Sequence, residues 1–113
     1  MRFVLGIIMI DLDGVLNEYT KEKFDKNYIP PMREGAREFL EKLSKSARLY
    51  LFTTRNLLLV SRWLVENDID KYFDNITNTK IPATIYIDDR ALQFKGDFNQ
   101  TLIDIDNFKV YWE

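Results

Sequence analysis

Hydrophobic and polar positions along the chain fall into two patterns. Unbroken apolar runs are closed by polar clusters, and longer stretches carry apolar residues three or four positions apart. Phe3–Ile10 (FVLGIIMI), rich in Ile and Val and ended by Asp11-Leu12-Asp13-Gly14, predicts a strand buried on both faces. Arg48–Phe52 (RLYLF) predicts a second strand, ended by Thr53-Thr54-Arg55-Asn56. Tyr72–Ile76 reads as a third, shorter strand, and Thr84–Ile87 (TIYI) as a fourth, ended by Asp88-Asp89.

Between these runs the period changes. Ala36, Phe39, Leu40 and Leu43 predict an amphipathic helix over Arg33–Lys45, with Pro31 suited to its start. A second helix is expected to run to about Asn67, with Leu57, Val60 and Leu64 on one stripe, Trp63 beside it, and the Leu57–Val60 run in the core. Near the C-terminus Asp97 and Gln100 suit a capping box ahead of Phe98, Leu102 and Ile105. Asn17–Pro31 is polar and aromatic and reads as a loop or small flap.

Strand, helix, strand, helix, strand, strand predicts one domain over residues 1–113 with an α/β fold, a Rossmann-like three-layer sandwich on a mainly parallel sheet. Ligands of such sheets bind at the carboxyl ends of the strands. A parallel sheet would gather Asp11/Asp13, Thr53/Thr54 and Asp88/Asp89 at one edge, and that convergence carries the functional expectation.

Composition narrows the chemistry. Of 113 residues, 46% are hydrophobic and 14% aromatic, ample for a core. The net charge of −2 argues against broad binding to a phosphate backbone, so a nucleic-acid substrate is not indicated by charge, although a local basic site is compatible with it. There is no cysteine and no histidine. Disulfides, Ser-His-Asp and Cys-His catalysis, and His- or Cys-based zinc sites are therefore excluded. The Phe3–Ile10 run is too short to span a bilayer and ends in DLDG rather than a small-residue cleavage site. The expectation is a soluble, cytoplasmic protein.

In an extended segment Asp11 and Asp13 face one side together, with Leu12 turned into packing. Gly14 allows a sharp turn or a close backbone approach. Adding Asp88 and Asp89 makes a negative cluster that needs a cation, and hard oxygen ligands suit Mg²⁺. The Thr53 hydroxyl and Lys80 would hold phosphate oxygens, and Thr54 and Arg55 stand beside them as further phosphate-binding candidates. The set fits phosphoryl transfer, with one aspartate as nucleophile and a second as acid and base.

These residues carry a family resemblance. IIMIDLDGVL resembles the first motif of the haloacid-dehalogenase superfamily, an apolar strand followed by Asp-x-Asp-Gly. LYLFTTR is similar to its second motif, Lys80 is placed like its third-motif lysine, and IYIDDRA resembles its fourth. The motifs occur in the family's order from about Phe3 to Ala91, and KIPATIYIDDRAL looks especially like small capless hydrolase-like members. The resemblance implies a Mg²⁺-dependent phosphomonoester hydrolase with Asp11 as nucleophile, Asp13 as general acid/base, and Thr53 and Lys80 on the phosphate. Mg²⁺ would be held by Asp11, the backbone carbonyl of Asp13 and Asp88, with Asp89 in support. The spacing between motifs leaves no room for a cap domain. An open site follows, fitting a phosphorylated small molecule or a macromolecular phosphate, or closed by a second copy in a homo-oligomer.

Plainer uses compete at each position. DLDG also suits a turn or cap, and Thr53-Thr54 suits a helix N-cap. Arg55 and Arg90 either reach phosphate or pair with the acidic cluster. Tyr19, Phe24 and Tyr28 either stack on a ring or pack the flap onto the sheet edge. At the level of function the rivals are a receiver-like regulatory module, which would place its phosphoacceptor on a middle strand, and a non-catalytic phosphate-binding protein.

Overall fold

A computed structural model of the chain describes residues 6–19, 24–88, 92–94 and 96–112, with backbone alone at 88, 92, 93 and 107–112. Phe3, Val4, Leu5, Asp89 and Arg90 lie outside the described residues. Five strands form one sheet: β1 Ile7–Asp11, β2 Arg48–Phe52, β3 Asn75–Thr77, β4 Ile85–Asp88 and the two-residue β5 Leu92–Gln93. Their order is β3-β2-β1-β4-β5 and every pairing is parallel. Three helices accompany them: α1 Ala36–Ser44, α2 Leu57–Glu66 and α3 Phe98–Trp112.

The central strand explains the opening apolar run. β1 is hydrogen-bonded to β2 on one side and β4 on the other, and Ile8, Met9 and Ile10 are all buried in succession. A strand covered on both faces has no polar position to alternate with. Parallel neighbours need crossovers, and α1 and α2 supply those from β1 to β2 and from β2 to β3. Ala36, Phe39, Leu40 and Leu43 are the buried residues of α1, as their spacing predicts. Phe39 stacks on Phe98 with ring centroids 4.9 Å apart, joining α1 to α3, and Phe94 lies 4.9 Å from Phe98 on the same pile. Burying each such side chain stabilises the fold by about 1.5–3 kcal/mol.

Several boundaries differ from expectation for local reasons. The third strand lies at Asn75–Thr77 rather than Tyr72–Ile76, because Asp70–Tyr72 close a tight helical turn first. α1 begins after Gly35, not at Arg33, since Gly35 is left-handed and the Arg33 carbonyl accepts from the Ala36 amide in a turn. In α2 Val60, Trp63 and Leu64 are buried but Leu58 is 64% exposed, so the Leu57–Val60 run is only partly core. Half of the expected capping box forms at α3. Asp97 Oδ1 accepts from the amides of Asn99 (2.9 Å) and Gln100 (3.2 Å), whereas the Gln100 side chain donates to Asp104.

The flap is tied at its base. The Glu18 amide donates to the Pro31 carbonyl (3.1 Å), the Arg33 amide donates to the Leu16 carbonyl (2.8 Å), and Asn17 bridges Met32 antiparallel. Ile29 is buried in the core, while Phe24 and Tyr28 remain exposed. Among the described residues no helix is long and apolar enough to cross a membrane.

Candidate active site

The site is a consequence of register. Asp11, the last residue of β1, is opposite Phe52, the last of β2, so Thr53 follows directly beside it. On the other side Ile10 is opposite Ile87, and continuing that register by one residue sets Asp88 beside Asp11. The sheet thus delivers its polar ends to one edge, as parallel α/β sheets do.

Beyond Asp11 the chain turns sharply. Asp13 keeps an extended backbone (φ −72°, ψ 125°) and Gly14 is left-handed (φ 85°, ψ −10°), a conformation that favours glycine. Leu12, Val15 and Leu16 are buried, whereas Asp11 and Asp13 both line a cavity of about 500 Å³. Thr53, Thr54, Phe52, Tyr19, Phe24 and Phe94 complete most of its wall. Four of the expected site residues, Asp11, Asp13, Thr53 and Thr54, therefore share one cavity.

The other candidates are placed differently. Arg55 is 4% exposed and turned onto Asp13. Its Nε donates to both Asp13 carboxylate oxygens (3.1 and 3.0 Å) and its Nη1 donates to the Asp25 carbonyl (2.7 Å). Of the two uses open to Arg55, pairing with the acids is the one adopted here. Its Nη2 is buried without a hydrogen-bond partner among the described residues. Lys80 is exposed and does not line the cavity; its Nζ is 5.3 Å from the ring centroid of Phe52, which does, and 5.7 Å from that of Tyr86. The Tyr86 hydroxyl donates to the Ile81 carbonyl and accepts from the Ala83 amide (3.2 Å), which fixes the segment after Lys80.

Three supporting residues were not anticipated from the sequence. Asn17 is fully buried: its Oδ1 accepts from the amides of Gly14 (3.0 Å) and Tyr19 (3.1 Å), and its Nδ2 donates to Asp13 Oδ1 (3.0 Å). Arg33 Nη2 donates to the carbonyls of Gly14 (3.3 Å) and Asn17 (3.4 Å). Asn78 Nδ2 donates to the carbonyls of Thr53 (2.6 Å) and Arg55 (3.0 Å). The signal available was weak: a polar residue within four positions of DLDG, and one just beyond β3. Thr53 has two local roles, since its Oγ1 accepts from the Arg55 amide (3.0 Å) and its own amide donates to the Thr77 carbonyl.

For a metal, the donor set is of the right kind. Carboxylate and carbonyl oxygens suit Mg²⁺, which takes few protein ligands. Among the described residues, which do not include the side chains of Asp88 and Asp89, no three metal-ligating side chains gather. No family model, no curated protein and no solved structure matches this chain.

Proposed function

We propose that the protein is a Mg²⁺-dependent phosphomonoester hydrolase, capless and three-layered like the haloacid-dehalogenase enzymes it resembles, working through an aspartyl-phosphate on Asp11. The observation that carries this reading is the convergence of Asp11, Asp13, Thr53 and Thr54 on one cavity at the carboxyl edge of a parallel sheet.

An Asp11 carboxylate oxygen attacks phosphorus, and the bond to the ester oxygen breaks as Asp13 donates a proton to it. Asp13 then takes a proton from water, whose oxygen attacks the phosphorus and releases inorganic phosphate from Asp11. The Thr53 hydroxyl donates to a phosphate oxygen, and Lys80, moving off the Phe52 ring, supplies a positive charge to another. The Asp11 carboxylate, the Asp13 carbonyl and Asp88, with Asp89 in support, would hold Mg²⁺, which would supply positive charge to neutralise and orient the phosphate. Arg55 and Asn17 hold the Asp13 carboxylate in place, and Arg55 has to release one carboxylate oxygen for Asp13 to carry the proton that it gives to the ester oxygen and regains from water.

The test is phosphate release from an aryl phosphate and a panel of phosphorylated metabolites, with Mg²⁺ and with chelator, on the native protein and on Asp11→Asn. Release that requires Mg²⁺ and falls to background in Asp11→Asn is expected. Turnover surviving Asp11→Asn would overturn the aspartyl-phosphate route. Phosphate binding without release from any ester would leave a phosphate-binding module.

A further inference from the structure

Tyr19, Phe24, Phe52 and Phe94 share the cavity with the carboxylates and hydroxyls, so the wall next to the proposed phosphate position is aromatic. Phe24 is the informative member. It is 51% exposed, yet it is anchored on two sides. The Arg55 guanidinium carbon lies 4.8 Å from its ring centroid, and the Tyr19 ring meets it edge-on at 5.9 Å with an interplanar angle of 81°. The next residue, Asp25, gives its carbonyl to Arg55 Nη1 (2.7 Å), so the backbone beside the ring is fixed as well. Tyr28, in the same flap and 58% exposed, does not line the cavity and has no such anchors among the described residues.

A phenylalanine held in place with half its surface open at a cavity gains little from core packing. Its open surface suits a flat apolar partner, because every nucleobase or aryl ring offers a π-face. A cavity of about 500 Å³ is of the size of small-molecule sites, which hold ligands of this class. A long polyanion is less well matched, since a chain of net charge −2 offers little counterion release.

We propose that the alcohol esterified to the phosphate carries a planar aromatic base, as in a nucleoside monophosphate, seated against Phe24 and Tyr19. The proposal rests on the phosphomonoesterase reading and names its substrate class. Phe24 is the specificity-determining residue, and Arg55 is the positioning residue beneath it.

The experiment compares a nucleoside 5′-monophosphate with ribose 5-phosphate, which presents the same phosphate and sugar without the base. Native protein should favour the nucleotide in kcat/KM by about tenfold or more, the effect expected of one stacked ring. Phe24→Ala should bring the ratio of the two substrates towards one, and Phe24→Trp should keep it high. Equal turnover of the two by native protein, or an Ala variant that lowers both by the same factor, would overturn the proposal. A 5′-phosphorylated oligonucleotide turned over faster than the mononucleotide would overturn the free nucleotide as substrate. Equilibrium binding of the same pair to the native protein with Mg²⁺, followed by calorimetry and using non-hydrolysable phosphonate analogues where turnover occurs, separates failure of the hydrolase reading from failure of the aromatic preference. If no ester is hydrolysed but the nucleotide binds about tenfold tighter than ribose 5-phosphate, the hydrolase reading fails and the aromatic preference stands. Equal affinities, or no binding of either compound, would overturn the preference itself.

Discussion

At the scale of single residues, the Asp13–Arg55 pair decides most about the site. Arg55's side chain is 1% exposed and Asp13's is 19%, so the pair is largely withdrawn from water. Removing one partner of such a pair leaves a buried charge uncompensated, a larger loss than the pair's own net worth. Asp13→Ala should therefore lower the unfolding free energy by about 2–3 kcal/mol in urea titrations, less than the roughly 3–5 kcal/mol of fully buried pairs because Asp13 keeps some solvent. Adding Arg55→Leu should recover part of that loss, since no unpaired guanidinium then remains. Lys71→Ala, which breaks the exposed Lys71–Asp68 contact, should change stability by less than about 1 kcal/mol. A cost for Asp13→Ala no greater than for Lys71→Ala would show that the pair is not held as described. The pairing was only half legible in the sequence. Arg55 stands directly after Thr53-Thr54, where phosphate and Asp13 are equally plausible partners, and the choice between them depends on a contact spanning 42 positions. Asn17 escaped for a different reason: its contacts are local, but they depend on a turn geometry that no spacing rule announces.

At the scale of elements, glycine placement sets how closely α1 approaches α3. Gly35 precedes α1 with φ +88°, and a Cβ there would lie 3.2 Å from Cδ2 of Phe98. Gly96, just before α3, has φ +89°, but a Cβ added to it would meet nothing within 4 Å. Alanine at either position incurs the left-handed backbone cost, roughly 1–2 kcal/mol. Gly35→Ala must in addition shift the Phe98 ring, which packs against Phe39 and Phe94, by a few tenths of an ångström. It should be more destabilising than Gly96→Ala by about 1 kcal/mol, the scale of a small overpacking strain. Equal midpoints in thermal unfolding would contradict that packing. Element type was readable where burial is continuous or periodic: β2 lies where its apolar run is, and α1's buried face is its apolar stripe. It was not readable where pairing alone makes the strand. β3 is three residues with an exposed Asn75, and β5 is two residues beside β4, too short for any period to show.

At the scale of the whole molecule, the cavity exists only when distant segments meet: the end of β1, the end of β2, the flap and Phe94. No fragment of the unfolded chain presents that set, so a ligand of the site binds the native state alone and stabilises it by mass action. The proposed function requires Mg²⁺ and phosphate to bind together, because the acids at the β1 end repel a phosphate unless a cation lies between them. Thermal unfolding with Mg²⁺ alone, inorganic phosphate alone and both should thus show synergy. At about one hundred times the dissociation constant the joint stabilisation approaches about 2.7 kcal/mol. For a domain of this size that raises Tm by on the order of 10 °C. Asp11→Asn should remove the Mg²⁺-dependent part, because Asp11 is the carboxylate that the β1–β2 and β1–β4 registers place between Phe52 and the start of the Asp88 segment. A full shift from phosphate alone, or one that Asp11→Asn leaves intact, would place the anion away from the acid pair and sink the metal-dependent reading, whatever the outcome of turnover assays.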